Sequence, residues 1–272
     1  MSSETQIQEL ETKAKEIRRL IIQMITKAGS GHPGGSLSSA DLITALFHSI
    51  LKHDPKNPAW TDRDRFHMSK GHCAPLWYAV LADRGYFAKE QLMTLRCLGS
   101  ILQGHPDPRT PGVEVASGSL GQGLSVGLGM SLAARIDKKD WRVYILLGDG
   151  EIQEGNIWEA AMAASHFKVD NLCAMLDYNG FQIDGKICNI MELEPLAAKW
   201  AAFGWHTIEI NGHNMKEILD AYDEAGRIKG KPTIIIAHTI KGKGVSFMEN
   251  VCDFHGRAPT QEEAKKALKE LA

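Results

Sequence analysis

Two apolar runs near the middle of the chain constrain its fold more than any other feature. Val143-Tyr-Ile-Leu-Leu147 leads into Gly148-Asp149-Gly150, and Leu172-Cys-Ala-Met-Leu176 leads into Asp177-Tyr178-Asn179. Each run has the length and character of a buried strand. Between them Ile157–Phe167 reads as a helix, with Trp158, Ala161, Ala164 and Ser165 turned inward. A strand–helix–strand unit makes the two strands parallel, so both carboxylates emerge at one edge of the sheet, where α/β folds bind ligands. A carboxylate oxygen and an amide oxygen brought together there form a hard-cation site. A magnesium ion in such a site keeps positions open for phosphate oxygens and water.

The same alternation continues downstream. Pro195–Phe203 reads as helix, His206–Ile210 as strand and Met215–Arg227 as helix; Pro232–Ile240 is the most β-branched run and reads as a central strand. Thr260 with Glu263 has the form of a capping box opening a last helix. Upstream, Ile7, Leu10, Ala14, Ile17, Leu20, Ile21 and Met24 recur at helical spacing. The glycines and proline from Ala28 to Gly35 are expected to end that helix in a loop, with Ser38 capping a second helix through Leu42, Ala45, Leu46 and Ile50. A third helix is expected from Cys73 to Asp83. The alternating small residues Gly121 to Ser131 lead into Ala133-Ala134-Arg135 and read as a helix with a close-packing face. The expected fold class is α/β, a mainly parallel sheet with helices on both faces, in a single domain spanning residues 1–272.

Composition excludes several functions. A net charge of −2 without blocks of like charge argues against a nucleic-acid footprint or an anionic-membrane patch. The apolar stretches are far short of a membrane span, and the polar N-terminus lacks a secretory core. The five cysteines (Cys73, Cys97, Cys173, Cys188 and Cys252) are scattered, with no Cys-x-x-Cys, as in a reduced cytoplasmic protein.

Histidines carry the other signal. His32 in Ser-Gly-His-Pro-Gly, His72 in Ser-Lys-Gly-His, His105 in Gln-Gly-His-Pro and His255 in Phe-His-Gly all sit in loop-like segments that no apolar period explains. Histidine is the side chain best suited to proton transfer near neutral pH. His213, in Asn-Gly-His-Asn, reads as part of a helix-start turn, and His48, His53, His67, His166 and His206 as ordinary surface or core residues. Zinc is disfavoured because no His-x-x-x-His or His-x-Glu spacing occurs. Gly121-Gln-Gly123 lacks the preceding strand of a dinucleotide fingerprint, and no P-loop is present. Gly148-Asp149-Gly150 alone would be read as a turn; the second strand end at Asp177 to Asn179 raises it to a candidate metal site.

In combination these segments resemble the transketolase family. Gly148-Asp149-Gly150 with Asn179 is similar to the thiamine diphosphate signature. The segments Ser30-Gly-His-Pro-Gly34, Ser69-Lys-Gly-His72, Pro111-Gly-Val-Glu-Val115, Gly118-Ser-Leu-Gly-Gln-Gly123, Gly148-Asp-Gly-Glu-Ile-Gln-Glu-Gly155 and Phe254-His-Gly256 follow the family's order from about Gly29 to Gly256. Deoxyxylulose-phosphate synthase and the pyruvate dehydrogenase E1 alpha subunit share the Gly-Asp-Gly and Asn elements, but the Pro111–Val115 and Gly118–Gly123 segments favour transketolase over either.

The resemblance implies a thiamine diphosphate-binding fold and specific roles. Asp149, Asn179 and the carbonyl of Phe181 would hold Mg²⁺ or Ca²⁺, although an aliphatic residue is more usual at Phe181. His72, His255, Gly118, Gly148 and the Gly150 amide would take part in binding the cofactor, with Leu120, Ile183 and Ile240 against its thiazolium ring. His32, His105 and His255 would face a sugar, and Glu154 would link two sites of a dimer. The implied reaction breaks the C2–C3 bond of a ketose phosphate and passes the two-carbon unit to an aldose phosphate.

A whole transketolase is more than twice as long as this chain. The family's pyrimidine-binding and C-terminal domains, with the activating glutamate and the phosphate-binding arginines, are not in this sequence. The Met start and the final helix lead us to expect a complete N-terminal subunit of a split transketolase. It would be joined to a separate C-terminal subunit in an α2β2 assembly.

Overall fold

The computed structural model describes residues 3–183 and 185–272. The elements in chain order begin with α1 (Glu4–Ala28), α2 (Pro33–Ser38), α3 (Ala40–Ala45), β1 (Arg65–Met68), α4 (Ala74–Arg84) and α5 (Gly123–Ile136). There follow β2 (Val143–Gly148), α6 (Gly155–His166), β3 (Leu172–Tyr178), β4 (Phe181–Gln182), β5 (Gly185–Lys186) and α7 (Ile187–Ile190). The last are α8 (Leu196–Ala202), β6 (His206–Asn211), α9 (Met215–Arg227), β7 (Thr233–His238) and α10 (Gln261–Glu270).

Five strands form one sheet in the order β1-β2-β3-β7-β6, every pairing parallel. Alternate strand residues point to opposite faces and seed two separate cores. Tyr144, Leu146, Cys173, Met175, Ile235 and Ala237 face the side covered by α1, α3, α4, α9 and α10. Val143, Ile145, Leu147, Leu172, Ala174, Leu176, Ile234 and Ile236 face the side covered by α5, α6 and α8. This is why β2, β3 and β7 read as unbroken apolar runs: they are buried on both faces. β4 and β5 form a separate two-stranded antiparallel ladder beside the end of β3.

The helices and strands follow the expected pattern, with departures in the N-terminal third and around the short ladder. The glycine-rich segment after α1 is a loop only through His32, because Pro33 stands in the first turn of a helix, where its missing N–H costs nothing. Within this helix Gly34 serves close packing: a Cβ there would lie 3.0 Å from the Phe254 carbonyl and 3.1 Å from the Lys241 side chain. Ser38 is not the expected cap. It ends α2 and its hydroxyl donates to Asp177 Oδ2 at 2.6 Å. The expected second helix is therefore interrupted at Ser39, and α3 continues through a wider turn over Leu46–Ile50. The four-residue strand β1, which pairs along one side only, carries too little pattern to be anticipated, as do β4, β5 and α7. The Thr260–Glu263 capping box is present in both directions.

Candidate active site

The sheet brings the two carboxylates together as the parallel register requires. Gly148 pairs with Asp177, so Asp149 leaves β2 beside the last residues of β3. Around this edge lies a cavity of about 330 Å³ whose lining includes Asp149, Asn179, Phe181, Gly148, Gly150, Gly118, Leu120 and Ile183. The same wall holds His32, His72, His105 and His255, together with Lys70, Lys241, Glu151 and Gln182.

The oxygen donors are held by backbone amides. Asp149 Oδ1 accepts from the Gly150 amide at 2.8 Å and Oδ2 from the Gly180 amide at 2.6 Å. Among the described residues Asp149 has no ion-pair partner. Burial, with the Asp177 charge added, pushes its carboxyl up to about 7. Asn179 Nδ2 donates to Asp177 Oδ2 at 3.0 Å, which fixes the flip of the amide and leaves Oδ1 as its acceptor, occupied at 3.1 Å by the Phe181 amide. A carboxylate, an amide oxygen and the Phe181 carbonyl form a hard-oxygen set, and an unpaired buried carboxylate is what a divalent cation would neutralise. The Gly150 N–H, expected to meet a diphosphate, donates here to Asp149 Oδ1 at the mouth of the same cavity.

Asp177 has a different task. It is fully buried and accepts from Ser38, Lys70 (2.5 Å) and Asn179, and from the Thr239 hydroxyl. Burial alone would raise its carboxyl, but the Lys70 charge and the hydrogen bonds outweigh it and hold the group at about 2. Asp177 is thus a permanent anion that orients the Asn179 amide and the Lys70 ammonium. Glu151 similarly ties loops together. Its side chain accepts from Ser69, from the Gly121 amide at 3.0 Å and from the Gly148 amide at 3.0 Å.

Three of the histidines cluster. Ring centroids are 5.1 Å apart for His32 and His72, 5.2 Å for His72 and His255, and 5.6 Å for His32 and His255. Burial, followed by positive neighbours, lowers all three: His32 and His72 to about 4 and His255 to about 3. They therefore stand as neutral imidazoles at neutral pH. His105 is more exposed, and burial shifts it downward as well. Lys241 Nζ donates to Phe181 O at 3.2 Å and lies 2.9 Å from His255 Nδ1. Two buried lysines, Lys70 and Lys241, stand beside these oxygens and could meet the negative charge of a diphosphate.

Most expected site residues meet in this cavity, but two do not line it. Glu154 is exposed at the start of α6, where its side chain lies over Gly121. Ile240, half-buried, precedes the lining residue Lys241, and its amide donates to His213. Conversely, Lys70, Lys241, Glu151 and Gln182 line the cavity although no expectation from the sequence placed them there. Lys70 sits inside Ser-Lys-Gly-His, and Lys241 follows β7 at the sheet edge already marked by Asp149, so topology carried the signal that a motif did not.

Comparison with known proteins accords with this geometry. Residues 10–272 match the family described as transketolase, thiamine diphosphate binding domain. The chain is 48% identical over 270 residues to the 6-deoxy-6-sulfo-D-fructose transketolase subunit SqwG of a Clostridium species, covering 99% of this chain and 98% of that protein. It is 44% identical over 267 residues to an apulose-4-phosphate transketolase subunit of Phocaeicola vulgatus, covering 98% and 95%. Human transketolase is 40% identical, over 97% of this chain but 42% of its own length. The crystal structure of Campylobacter jejuni transketolase superposes with a TM-score of 0.93 at 37% identity, over 97% of this chain and 43% of that one. The chain spans almost the whole of its subunit relatives and about two-fifths of the longer transketolases. A parallel sheet that gathers Asp149, Asn179 and the histidine cluster at one edge, with this match along nearly its entire length, makes the chain a member of the transketolase family, in its thiamine diphosphate-binding domain.

Proposed function

We propose that the chain is the cofactor-diphosphate-binding subunit of a two-component transketolase, moving a two-carbon ketol unit from a ketose phosphate to an aldose phosphate. The observation that carries this reading is the convergence of Asp149, Asn179 and the Phe181 carbonyl with Lys70, Lys241 and the histidine cluster in one cavity. Asp149, Asn179 and Phe181 would hold Mg²⁺, or Ca²⁺ in its place. Lys70, Lys241, His72 and His255 would surround the diphosphate, while Gly118, Gly148 and Gly150 keep the backbone close to it. Leu120, Ile183 and Ile240 would supply apolar packing. Thiamine diphosphate, when bound, supplies the electron sink for cleaving a bond next to a carbonyl. This chain's part is to bind, orient and exchange protons: His105 with the hydroxyls of the transferred fragment, His32 and His255 with the proton of the donor's third hydroxyl.

A second chain bearing the pyrimidine-binding and C-terminal domains would complete the site in an α2β2 assembly, with Glu154 linking two sites. The support is the coverage, nearly complete for proteins named as subunits and partial for full-length transketolases. Leu120 and Ile183 line the cavity and stand exposed, an apolar margin suited to burial by a partner. Sugar specificity is left open between the pentose phosphate substrates of a cytoplasmic transketolase and a related sugar, since the subunit relatives are named for apulose-4-phosphate and a sulfofructose.

The test mixes the chain with a candidate C-terminal partner and measures ketol transfer with thiamine diphosphate and Mg²⁺. Activity that requires both chains and both cofactors is expected, with at least a ~100-fold loss on His105→Ala, the usual scale for a positioned acid–base group. Full activity of this chain alone refutes the two-component reading. Unchanged turnover in a His32→Ala or His105→Ala complex would instead leave a cofactor-binding subunit without a catalytic role.

A further inference from the structure

His213 lies outside the cavity, in the turn between β6 and α9, yet it joins the cavity wall to a buried ion pair. Its Nε2 is 2.8 Å from the Ile240 amide nitrogen, and its Nδ1 is 2.7 Å from Asp41 Oδ2. A backbone N–H can only donate, so Nε2 must be the acceptor and Nδ1 must carry the proton that is given to Asp41. The carboxylate is in turn gripped by Arg18 through two hydrogen bonds, Nη1 at 2.9 Å and Nη2 at 2.6 Å. Arg18 and Asp41 are 5% and 7% exposed, so this ion pair from α1 and α3 is a rigid mount. Asp41 stays ionised down to about pH 2, because the Arg18 charge and the His213 hydrogen bond outweigh its burial.

What His213 holds is the turn that carries Lys241. Ile240 immediately precedes it. After it, the Gly242 amide donates to the Gly34 carbonyl at 3.0 Å, and the Asn250 amide donates to the Lys241 carbonyl at 2.9 Å. The turn is thus pinned on both sides of the lysine: on the strand side the Thr239 amide donates to the Tyr178 carbonyl at 3.1 Å, and the pin next to the lysine is His213. We propose that His213 is a positioning residue: by accepting the Ile240 N–H it sets where the Lys241 ammonium stands in the cavity, with Asp41 and Arg18 fixing its tautomer and ring orientation. The inference rests on the reading of the cavity as a diphosphate site, and it gives a role to a histidine that the sequence presented only as part of a turn.

The test uses the full chain with magnesium pyrophosphate as the probe and two substitutions that divide the imidazole's functions. In His213→Asn the amide nitrogen takes the place of Nδ1 and keeps the Asp41 bond but cannot reach Ile240. In His213→Gln the amide reaches the Nε2 position and can accept the Ile240 N–H. Hydrogen exchange at residues 239–243 and pyrophosphate affinity by calorimetry are the readouts. His213→Asn should speed exchange in that turn and weaken binding by ~10-fold, the ~1.4 kcal/mol scale of one hydrogen bond. His213→Gln should stay within ~3-fold of wild type, and His213→Asn should add little to Lys241→Met, because the two act through one ammonium. Wild-type exchange and affinity in His213→Asn, or losses that add fully to those of Lys241→Met, overturn the proposal. Absence of pyrophosphate binding by the wild-type chain overturns the diphosphate reading itself, and with it the role of the turn in binding. The exchange data then report separately whether His213 holds the turn.

Discussion

Lys70→Met is the substitution whose consequence can be worked out most fully. The Lys70 side chain is 3% exposed and its Asp177 partner is 0% exposed, so neither charge can turn to water for compensation. Removing one member of such a pair leaves a buried charge and costs ~3–5 kcal/mol. Asp177 would retain the donors Ser38, Thr239 and Asn179, which places the expected loss near ~3 kcal/mol, at the low end of that range. At this chain length ~2 °C of melting temperature accompanies each kcal/mol, so a fall of ~6 °C is expected. The companion Lys70→Met/Asp177→Asn removes the stranded charge and should recover most of the loss, with a coupling of ~2 kcal/mol in the double-mutant cycle. The measurement is thermal and urea unfolding at pH 7 without thiamine diphosphate or divalent metal, so that ligand linkage does not enter. A single mutant within ~1 kcal/mol of wild type, or a double mutant no more stable than the single, would refute the account of Asp177 as an anion kept by Lys70. The sign with pH follows from the same pair. The folded pKa of Asp177, about 2, is depressed below the ordinary carboxylate value of 3.8. Its stabilisation is therefore present in full above ~pH 4 and lost as pH falls through about 2.

Three further outcomes are expected. Asp149→Asn should raise the melting temperature of the metal-free chain at pH 7, because it removes a buried carboxylate pushed up to about 7, while abolishing any magnesium-dependent tightening of thiamine diphosphate binding in calorimetry. His32, His72 and His255 are lowered to about 4, 4 and 3, so the unfolded chain takes up protons first and urea-unfolding stability should rise with pH from about 4 to about 6.5. Asp149 opposes that slope, and the Asp149→Asn variant should make it steeper. Gly242→Ala should cost ~2–4 kcal/mol in the same assay, because φ is 79° and a Cβ would lie 2.7 Å from the Met248 carbonyl carbon.

The sheet, and the edge at which Asp149 and Asp177 emerge, were legible because burial on both faces writes itself as uninterrupted apolar runs and a parallel register then sets where each strand ends. The four glycine-flanked histidines were legible for the opposite reason: nothing in the apolar period required them. Residues whose importance depends on distant partners were not. Ser38 looked like a cap because local chemistry favours serine at helix starts, but its hydroxyl is drawn to a carboxylate 139 residues away. A lysine carries no mark of burial in sequence, and Lys70 and Lys241 are enclosed only by the fold. His213 shows the limit most plainly: a turn histidine in sequence is a bridge between α3 and the end of β7 in space.

The ends of the sheet bear on how the chain can associate. β1 offers four residues and opens with Arg65, whose side chain pairs with Glu114. At the other end β6 exposes Glu209 and Asn211, and His206 is tied to Glu224. Short length and charge at a sheet's margins discourage the addition of a foreign strand. Growth of the sheet by a further strand is thus disfavoured at both of its margins.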